Sequence, residues 1–274
     1  IGAMSVFFYT WQDRDLILEI KEHLSGVRTK TSWICPGGLR KDAPMGWMAR
    51  VKAFLDYFPE RIALYEGLLS NNPIWIERTR GVGIISGPDA ISMGMAGPSL
   101  RASGVNLDLR KTTPYSSYEH FEFDVAVGQY GDVFDRYRVR MEELRQSLAL
   151  CNQSWRAIDK LGEKSPVRTS DRKIAPPPRE ELDTSMEALI HHFKLYTEGY
   201  HPPVGEAIGA VEGPRGEKAY YVISDGSNKP YRVKIKGPSF YNLQGLPKIC
   251  EGRMVADVVA MIGSIDIVLG DIDR

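Results

Sequence analysis

Hydrophobic residues recur at helical spacing in five stretches of the chain. The stretches cover residues 5–24, about 44–72, 132–161, 186–196 and 252–263. Gly26 follows the first stretch, and Pro59 predicts a break or kink inside the second. Asp132 begins the third, while Ser185 and the threonine before it cap the fourth. A shorter helix is expected after Pro88. The pattern therefore predicts a mainly helical protein.

Strand signals are fewer and concentrate near the end of the chain. After Pro202, short alternating segments are separated by turn sequences at 212–218 and 225–230, which predicts an antiparallel meander of two or three strands. Residues 81–86 resemble a short strand, and residues 120–127 alternate like an extended segment.

The expected fold class is mainly α with a small antiparallel β-sheet near the C-terminus. We predict one incomplete domain over 1–274, with a helical core over about 1–200 and a meander over about 203–240. Loops are expected at 33–39 and in the proline-rich stretch 162–181. The terminal helix and a buried, ordered tail are expected over about 252–274, because Ile265–Arg274 mixes apolar residues with aspartates.

Composition removes several classes of function. The 274 residues are 43% hydrophobic and carry no net charge, so the basic excess of a nucleic-acid-binding protein is absent. Three scattered cysteines, Cys35, Cys151 and Cys250, lack the paired spacing of a zinc or iron–sulfur site, so no metal is expected on this chain. The sequence has no apolar run near the roughly 20 residues needed to span a bilayer.

Two residue groups invite a chemical interpretation. His191 and His192 point about 100° apart on a helix, so a packing and surface role is favoured over a metal site. Arg78, Arg80, Arg101 and Arg110-Lys111 crowd a glycine-rich region; they fit either an anionic-ligand site or ion pairs, and balanced charge favours the pairs.

Several segments together resemble the 49 kDa subunit, also called subunit 7, of respiratory complex I (NADH:ubiquinone oxidoreductase). These segments are PGGLRKDAPMGWM at 36–48, NNPIWIERTRGVGIIS at 71–86, residues 97–147, TSMEALIHHFKLYTEGY at 184–200, residues 220–246 and residues 252–274. The resemblance implies a fold like the large subunit of nickel–iron hydrogenases. Cysteines that would hold the hydrogenase metal are missing near the end of this sequence, so hydrogenase chemistry is not expected.

The family resemblance implies a core subunit of a proton-pumping enzyme that helps form a quinone-reduction site. Ubiquinone would be the substrate, and the adjacent [4Fe–4S] cluster would be held by a small partner subunit. Other implied partners are a 30 kDa-type subunit, a membrane-arm subunit at the quinone channel, and a separate polypeptide carrying the N-terminal part of the fold. In the family that part holds the His and Tyr that bind the quinone headgroup, so no catalytic residue is expected in this chain.

Site residues implied by the resemblance fall near the two ends of the chain. Asp266 and Val268 match positions that line the family's quinone pocket, and Phe7, Phe8 and Trp11 are expected to wall the same cavity.

The loop near the cluster departs from the family pattern. Lys30 stands where the family usually has a His, and Cys35 replaces an Arg. A lysine in place of a titrating imidazole predicts that the cluster potential depends weakly on pH.

The expected location is the matrix side of the mitochondrial inner membrane, or alternatively the cytoplasmic side of a bacterial plasma membrane. Two other functions stay open. One is a plastid-type ferredoxin:plastoquinone oxidoreductase subunit, and the other is a scaffold that keeps the fold without a role in quinone reduction.

Overall fold

The structure is a computed structural model, and it describes residues 1–162 and 166–273. Residues 163–165 of the predicted loop and Arg274 of the predicted tail lie outside the described residues. The helices are α1 Met4–Ser25, α2 Trp47–Leu69, α3 Pro73–Thr79, α4 Gly87–Ser92, α5 Pro98–Arg101, α6 Leu109–Thr112, α7 Val133–Leu161, α8 Met186–Thr197, α9 Pro238–Gln244, α10 Leu246–Cys250, α11 Val255–Ile265 and α12 Leu269–Asp273. The strands are β1 Ile34–Cys35, β2 Gly38–Leu39, β3 Gly205–Gly213, β4 Gly216–Ser224 and β5 Arg232–Lys236.

The five helices predicted from periodicity are confirmed as α1, α2, α7, α8 and α11, and the short helix after Pro88 is confirmed within α4. Helix α2 begins at Trp47, later than expected, because Gly46 before it has a φ of 82°, which is not a helical conformation. Pro59 lies inside α2 and does not break it. Asn72 accepts hydrogen bonds from the first turn of α3, so the predicted single helix over 44–72 is followed by a separately capped one.

The strand predicted at residues 81–86 is wrong. Gly81 and Gly83 have φ values of 73° and 61°, which no extended strand accommodates. This segment is instead tied to the start of α7, because Arg136 donates hydrogen bonds to the Gly83 and Gly131 carbonyls and to Ser264 Oγ, each at 2.8 Å. Burial lowers the pKa of Arg136 to about 10, although nearby carboxylates oppose the shift.

Residues 120–127 contain no assigned strand, and the segment runs beside α7. The backbone N–H groups of Glu122 and Asp124 donate to the side-chain oxygens of Gln153 and Gln146, at 2.9 and 3.0 Å. These glutamines lie seven residues apart, two turns along one face of α7. Side-chain amides thus satisfy the backbone that a neighbouring strand would otherwise satisfy.

The predicted meander is confirmed as a three-stranded antiparallel sheet in the order β3-β4-β5. Its first hairpin pairs Gly205 with Ser224 and Gly213 with Gly216. The second hairpin turns at Asp225–Asn228, where Gly226 has a φ of 89°, as expected for a turn sequence. A second sheet of two short strands, β1 and β2, occupies the predicted 33–39 loop.

Helix α7 is the central element of the fold. It packs against α2 on one side and against α3, α5 and α11 on others. The largest apolar cluster joins the loop before α4 to α7, α10 and α11, and includes Ile85, Val133, Ile249, Met261 and Ile265. Burial of these side chains holds α11 against α7.

Asp13 anchors the first helix to the second. It is 1% exposed and lies 2.7 Å from the Arg61 guanidinium, while the Tyr57 and Tyr65 hydroxyls also donate to it. A buried carboxylate with three donors orients α1 along α2. The more N-terminal aromatic side chains of α1 are therefore presented at a fixed edge of the molecule.

The arginine-rich region resolves into ion pairs and ring contacts. Arg101, 1% exposed, binds Glu143 and Glu212 with N–O distances of 2.6 and 2.8 Å. Arg110 pairs with Asp108 at 2.6 Å. Lys111 lies over the ring of Phe123, Arg78 lies near Asp257 and Arg80 over the ring of Phe134. The ion-pair interpretation is thus confirmed for Arg101 and Arg110. Arg101 connects α5 to α7 and β3, whereas Arg110 pairs with the N-cap residue of its own helix, α6.

Candidate functional site

An apolar cavity of about 520 Å³ lies where α1 meets α3, α7 and α11. Its size suits a small-molecule ligand. Most of its lining residues are apolar or small, and Arg140 is the one charged side chain among them. The lining residues are Ile1, Gly2, Ala3, Met4, Val6, Phe7, Thr10, Leu69, Trp75, Val133, Tyr137, Arg140, Val259, Ala260, Gly263 and Ser264.

Most polar groups of this cavity bond within the chain. Thr10 Oγ1 donates to carbonyls of its own helix, Tyr137 Oη lies 2.9 Å from Ser70 Oγ, and Ser264 Oγ bonds Met261 and Arg136. Two buried donors differ: Trp75 Nε1 and Arg140 Nη2 have no hydrogen-bond partner among the described residues. The other terminal nitrogen of Arg140 donates to the Arg136 carbonyl at 3.0 Å.

A charged pocket of about 440 Å³ lies on the other side of Arg140. Its lining residues are Arg101, Arg110, Arg140, Glu143, Leu144, Ser147, Glu212, Gly213, Pro214 and Asp266. Three cations thus face three carboxylates. Burial raises the pKa of Glu212 despite its pairing with Arg101. Burial also lowers the pKa of Arg140, and the charge of Asp266 opposes that shift. Arg140 is the residue that the two cavities share.

The aromatic residues of α1 divide between the cavity and the surface. Phe7 lines the apolar cavity. Phe8 and Trp11 are 60% and 55% exposed, and neither lines this cavity. Both contact Phe7, with ring centroids 5.7 and 5.6 Å apart, so they extend the aromatic surface outward from it.

The two tail residues of the predicted site lie apart from Phe7. Asp266 ends α11 in the left-handed conformation, with a φ of 51°, and faces the charged pocket near Arg215 at 3.5 Å. Val268 lines neither cavity and is 38% exposed, while its N–H donates to Ser239 Oγ at 3.3 Å. Neither of the two cavities is lined by Asp266, Val268 and Phe7 together, as the prediction of a common cavity requires.

The tail forms the short helix α12 but is not buried within the described residues as expected. Only Ile265 at its start is fully buried, and residues 268–270 are exposed because no other described element of the chain covers them. Asp271 holds this tail in place. Its carboxylate accepts the Ser239 N–H at 3.0 Å and lies 3.2 Å from Lys218 Nζ. It thereby caps α9, whose own N-cap, Gly237, has no side chain to offer.

The predicted cluster loop lies outside both cavities. Lys30 is exposed. The Cys35 thiol donates to the Gly38 carbonyl at 3.5 Å and accepts from Arg168 at 3.7 Å. Cys35 stands where the family usually has an arginine. The guanidinium of Arg168, from the 166–181 segment, lies beside this cysteine.

Within residues 1–162 and 166–273, no group of three His, Cys, Asp or Glu side chains is placed to hold a metal ion. The three cysteines are free and belong to β1, α7 and α10. None of the described helices is long and apolar enough to cross a membrane.

The whole chain, residues 1–274, matches the family described as respiratory-chain NADH dehydrogenase, 49 Kd subunit. The mainly helical fold with its small C-terminal sheet is consistent with that family. The chain belongs to this family of respiratory-enzyme subunits.

Curated relatives agree with this assignment, and each is a D-type subunit of NADH-quinone oxidoreductase. The chain is 54% identical over 274 residues to the second such subunit of Roseiflexus sp. (strain RS-1), and 50% identical to those of Thermus thermophilus and of Wolbachia sp. subsp. Brugia malayi. All of this chain is covered, but it spans only 66%, 66% and 69% of those proteins. These relatives are bacterial, so the bacterial alternative fits and the mitochondrial location is not confirmed.

Proposed function

We propose that this chain is a core subunit of an NADH-quinone oxidoreductase and helps to wall its quinone-reduction site. The observation that carries the proposal is the apolar cavity beside Phe7, bordered by Arg140 and, beyond it, by a pocket of titratable groups. An apolar wall admits a hydrophobic ring, and carboxylates nearby suit a reaction that takes up protons.

Quinone reduction consumes two electrons and two protons for each quinol formed. The electrons would come from a [4Fe–4S] cluster on the small partner subunit, since the described residues of this chain include no cysteine group to hold one. The chain's own contribution is positional: α1 and α11 form the apolar walls, and Asp266 and Glu212 lie on the side from which protons would be supplied. We place the assembled enzyme on the cytoplasmic side of a bacterial plasma membrane, since the relatives come from bacteria.

Exposed apolar residues on α1 and α8 suit contact with other subunits of such an enzyme. On α8 they recur at helical spacing, at Met186, Ile190 and Phe193, and each is at least 49% exposed. We propose that these faces contact other subunits, without assigning either face to a particular one. The proposal implies three further partners: the 30 kDa-type subunit, the membrane-arm subunit and the polypeptide that holds the N-terminal part of the fold.

The test is quinone-reductase kinetics of the assembled enzyme carrying Phe7→Ala, Asp266→Asn or Val268→Phe. We expect Phe7→Ala to raise the KM for a short-chain quinone or to alter sensitivity to quinone-site inhibitors, because Phe7 lines the apolar cavity. Val268 lines neither cavity, so an effect of Val268→Phe alone would favour the position that the family resemblance implies over this cavity. Asp266→Asn should lower kcat, because it removes a titratable group. Val255→Phe is the matched control for Val268→Phe, since Val255 is 87% exposed at the far end of α11.

Oxidation of NADH by an artificial electron acceptor measures how much intact enzyme each preparation contains. If all three site variants assemble and keep wild-type quinone kinetics and inhibitor sensitivity, the chain is a scaffold and the proposal is wrong.

A further inference from the structure

Strand β3 is an edge strand whose outer side is mostly open. In the sheet order β3-β4-β5 it pairs only with β4, over nine consecutive residues from Gly205 to Gly213 and without a bulge. Residues 205–209 are exposed. An open strand edge is a template for pairing with another strand, and proteins usually protect it with lysines, prolines, bulges or a short strand. β3 is long and has no lysine, proline or bulge.

The opposite edge of the same sheet is protected. β5 has only five residues, Arg232–Lys236, and three of them are basic. Arg232 and Lys234 are exposed, and Lys236 is paired with Glu217. A short basic edge strand resists pairing with another strand. The two edges therefore differ in the way expected if β3 is covered in the assembled enzyme and β5 is not.

Hydrogen bonds at one end of β3 show which backbone groups face outward. The Glu212 N–H donates to Tyr115 Oη at 2.9 Å, and the Glu212 carbonyl accepts the Tyr115 hydroxyl at 3.4 Å. Glu212 thus faces away from β4. Because the two sides alternate along a strand, Glu206, Ile208 and Ala210 also present their N–H and carbonyl groups outward. In the described part of the chain, no residue accepts these three N–H groups.

The side chains of β3 leave room on one face for a bulky neighbour. Ala207, Gly209 and Val211 share this face, and a Cβ at Gly209 would meet no atom within 4 Å. On the same face, Tyr220 of β4 and Val233 of β5 are each 42% exposed. Small residues on an edge strand beside an exposed apolar face suit a neighbouring strand with a large apolar side chain opposite the glycine.

The other face of β3 indicates the charge of the neighbouring strand. Glu206 lies on that face, and its carboxylate accepts the Tyr221 hydroxyl but forms no ion pair with any described residue. A basic side chain opposite Glu206 would provide the missing ion pair. The expected neighbour is therefore an extended strand with a bulky apolar residue facing Gly209 and a lysine or arginine facing Glu206.

The relatives contain a further stretch of chain that could supply this strand. This chain spans 66%, 66% and 69% of the three relatives named above, so about a third of each lies outside the match. In these relatives both parts belong to one subunit, so the edge and the additional stretch are always present together. A sheet of three strands is also small, since sheets in globular proteins have about five or six strands on average.

We propose that a strand from the N-terminal part of the family fold pairs with the outer edge of β3 at residues 206–210 and extends the sheet to four strands. This inference rests on the proposed function, which includes the polypeptide that holds that part, and adds its docking position on this chain.

Site-specific photo-crosslinking in the assembled enzyme identifies the neighbour of β3. The photoreactive amino acid p-benzoylphenylalanine is placed at position 208, where Ile208 is 75% exposed. Lys234 is the matched control position, because it is exposed on the same face and in the same cross-strand row at the opposite edge. Mass spectrometry should show adducts at position 208 with peptides that match the N-terminal third of the relatives. Such adducts should be at least about tenfold rarer at position 234, because the added strand lies beyond β3 and two strand spacings of about 4.8 Å separate β5 from β3.

Hydrogen exchange of the same enzyme tests the backbone pairing. On β5, Val233 and Ile235 face outward by the same alternation. The amides of Glu206, Ile208 and Ala210 should exchange about 100-fold more slowly than those of Val233 and Ile235, because a paired amide exchanges only after local opening.

A proline substitution tests the same pairing without disturbing β4. Ile208→Pro removes one outward N–H and keeps the bonds between β3 and β4, as edge strands allow. Exchange of the Glu206 and Ala210 amides should become about tenfold faster in Ile208→Pro. Val233→Pro is the matched control on the β5 edge and should leave these two amides at their wild-type rates.

Two results overturn the inference. One is an adduct at position 208 with a different subunit or with a second copy of this chain, or the lack of any adduct. The other is exchange of the Glu206, Ile208 and Ala210 amides as fast as that of the outward amides of β5. If Phe7→Ala or Asp266→Asn changes quinone kinetics while either result is found, only this inference fails. If position 208 crosslinks as expected while every site variant keeps wild-type quinone kinetics, only the role in quinone reduction fails.

Discussion

Asp271 provides the sharpest test of how the tail is held, because its carboxylate joins α12 to α9 and β4. It accepts the Ser239 N–H at 3.0 Å and lies 3.2 Å from Lys218 Nζ. The change Asp271→Asn keeps the shape of the side chain and removes its charge. Asp273→Asn, two residues further on, is the matched control because Asp273 is exposed.

The expected loss follows from the two contacts. A hydrogen bond to a charged acceptor contributes about 1.5–3 kcal/mol, and one to a neutral acceptor about 0.5–1.5 kcal/mol. The Lys218 pair adds at most about 1 kcal/mol, since Lys218 is half-exposed. Asp271→Asn should therefore weaken docking of the tail by about 1–2 kcal/mol, which raises the open population roughly tenfold.

Hydrogen exchange of the purified chain measures this opening directly. Protection factors of the Ser239 amide and of the amides in 269–273 should fall about tenfold in Asp271→Asn. They should stay at the wild-type value in Asp273→Asn. Equal protection in the two variants would refute the assignment of Asp271 as the anchor.

The same carboxylate predicts how docking depends on pH. Burial alone would raise the pKa of Asp271, but the Ser239 N–H and Lys218 outweigh it, and the pKa is lowered. A lowered pKa means that the stabilisation is complete above the ordinary value of about 3.9 and is lost as the pH falls through the folded-state pKa. Protection in wild type should be constant from neutral pH down to about pH 5 and then decline towards the Asp271→Asn value. A constant difference between the two proteins down to about pH 2 would contradict this.

Three further substitutions test the anchors of the fold by urea unfolding of the purified chain. Asp13→Asn should lower the free energy of unfolding by about 2–3 kcal/mol. This is less than the usual cost of breaking a buried ion pair, because the Arg61 side chain is partly exposed to solvent. An unchanged free energy of unfolding would show that Asp13 does not anchor α1. Arg101→Met leaves two carboxylates unpaired and should cost about 3–5 kcal/mol; a stabler protein would show that the pairs are dispensable. Gly216→Ala would place a Cβ 2.7 Å from the backbone of the α4–α5 loop and should cost about 2–4 kcal/mol, whereas Gly209→Ala, with open space around it, should cost less than about 1 kcal/mol; equal costs would contradict the close contact.

Periodicity predicted the long elements because their partners run along them for several turns. The 29 residues of α7 keep one apolar face and begin at a capping Asp132. The strand prediction for 81–86 is wrong because the two glycines of this segment adopt positive φ and the Gly83 carbonyl bonds to Arg136, which is distant in sequence. Short apolar runs lack the length to reveal such tertiary contacts.

The family resemblance names site residues but does not predict how they are arranged in space. Phe7 and Asp266 do lie at cavities, yet on opposite sides of Arg140. Arg140 could have been found from the sequence, because an arginine three residues after Tyr137 and four before Leu144 falls within the apolar face of α7. Trp75 carries no such signal, since its unpaired N–H depends on how α3, α7 and α11 meet in space.

Photoaffinity labelling of the assembled enzyme with an azido-ubiquinone tests most directly whether this chain walls the quinone site. The label should attach to peptides of α1, α3, α7 or α11 that line the apolar cavity, and excess unlabelled quinone or a quinone-site inhibitor should suppress it. Labelling that is confined to other subunits, or that falls on this chain only outside those four helices, would contradict the account.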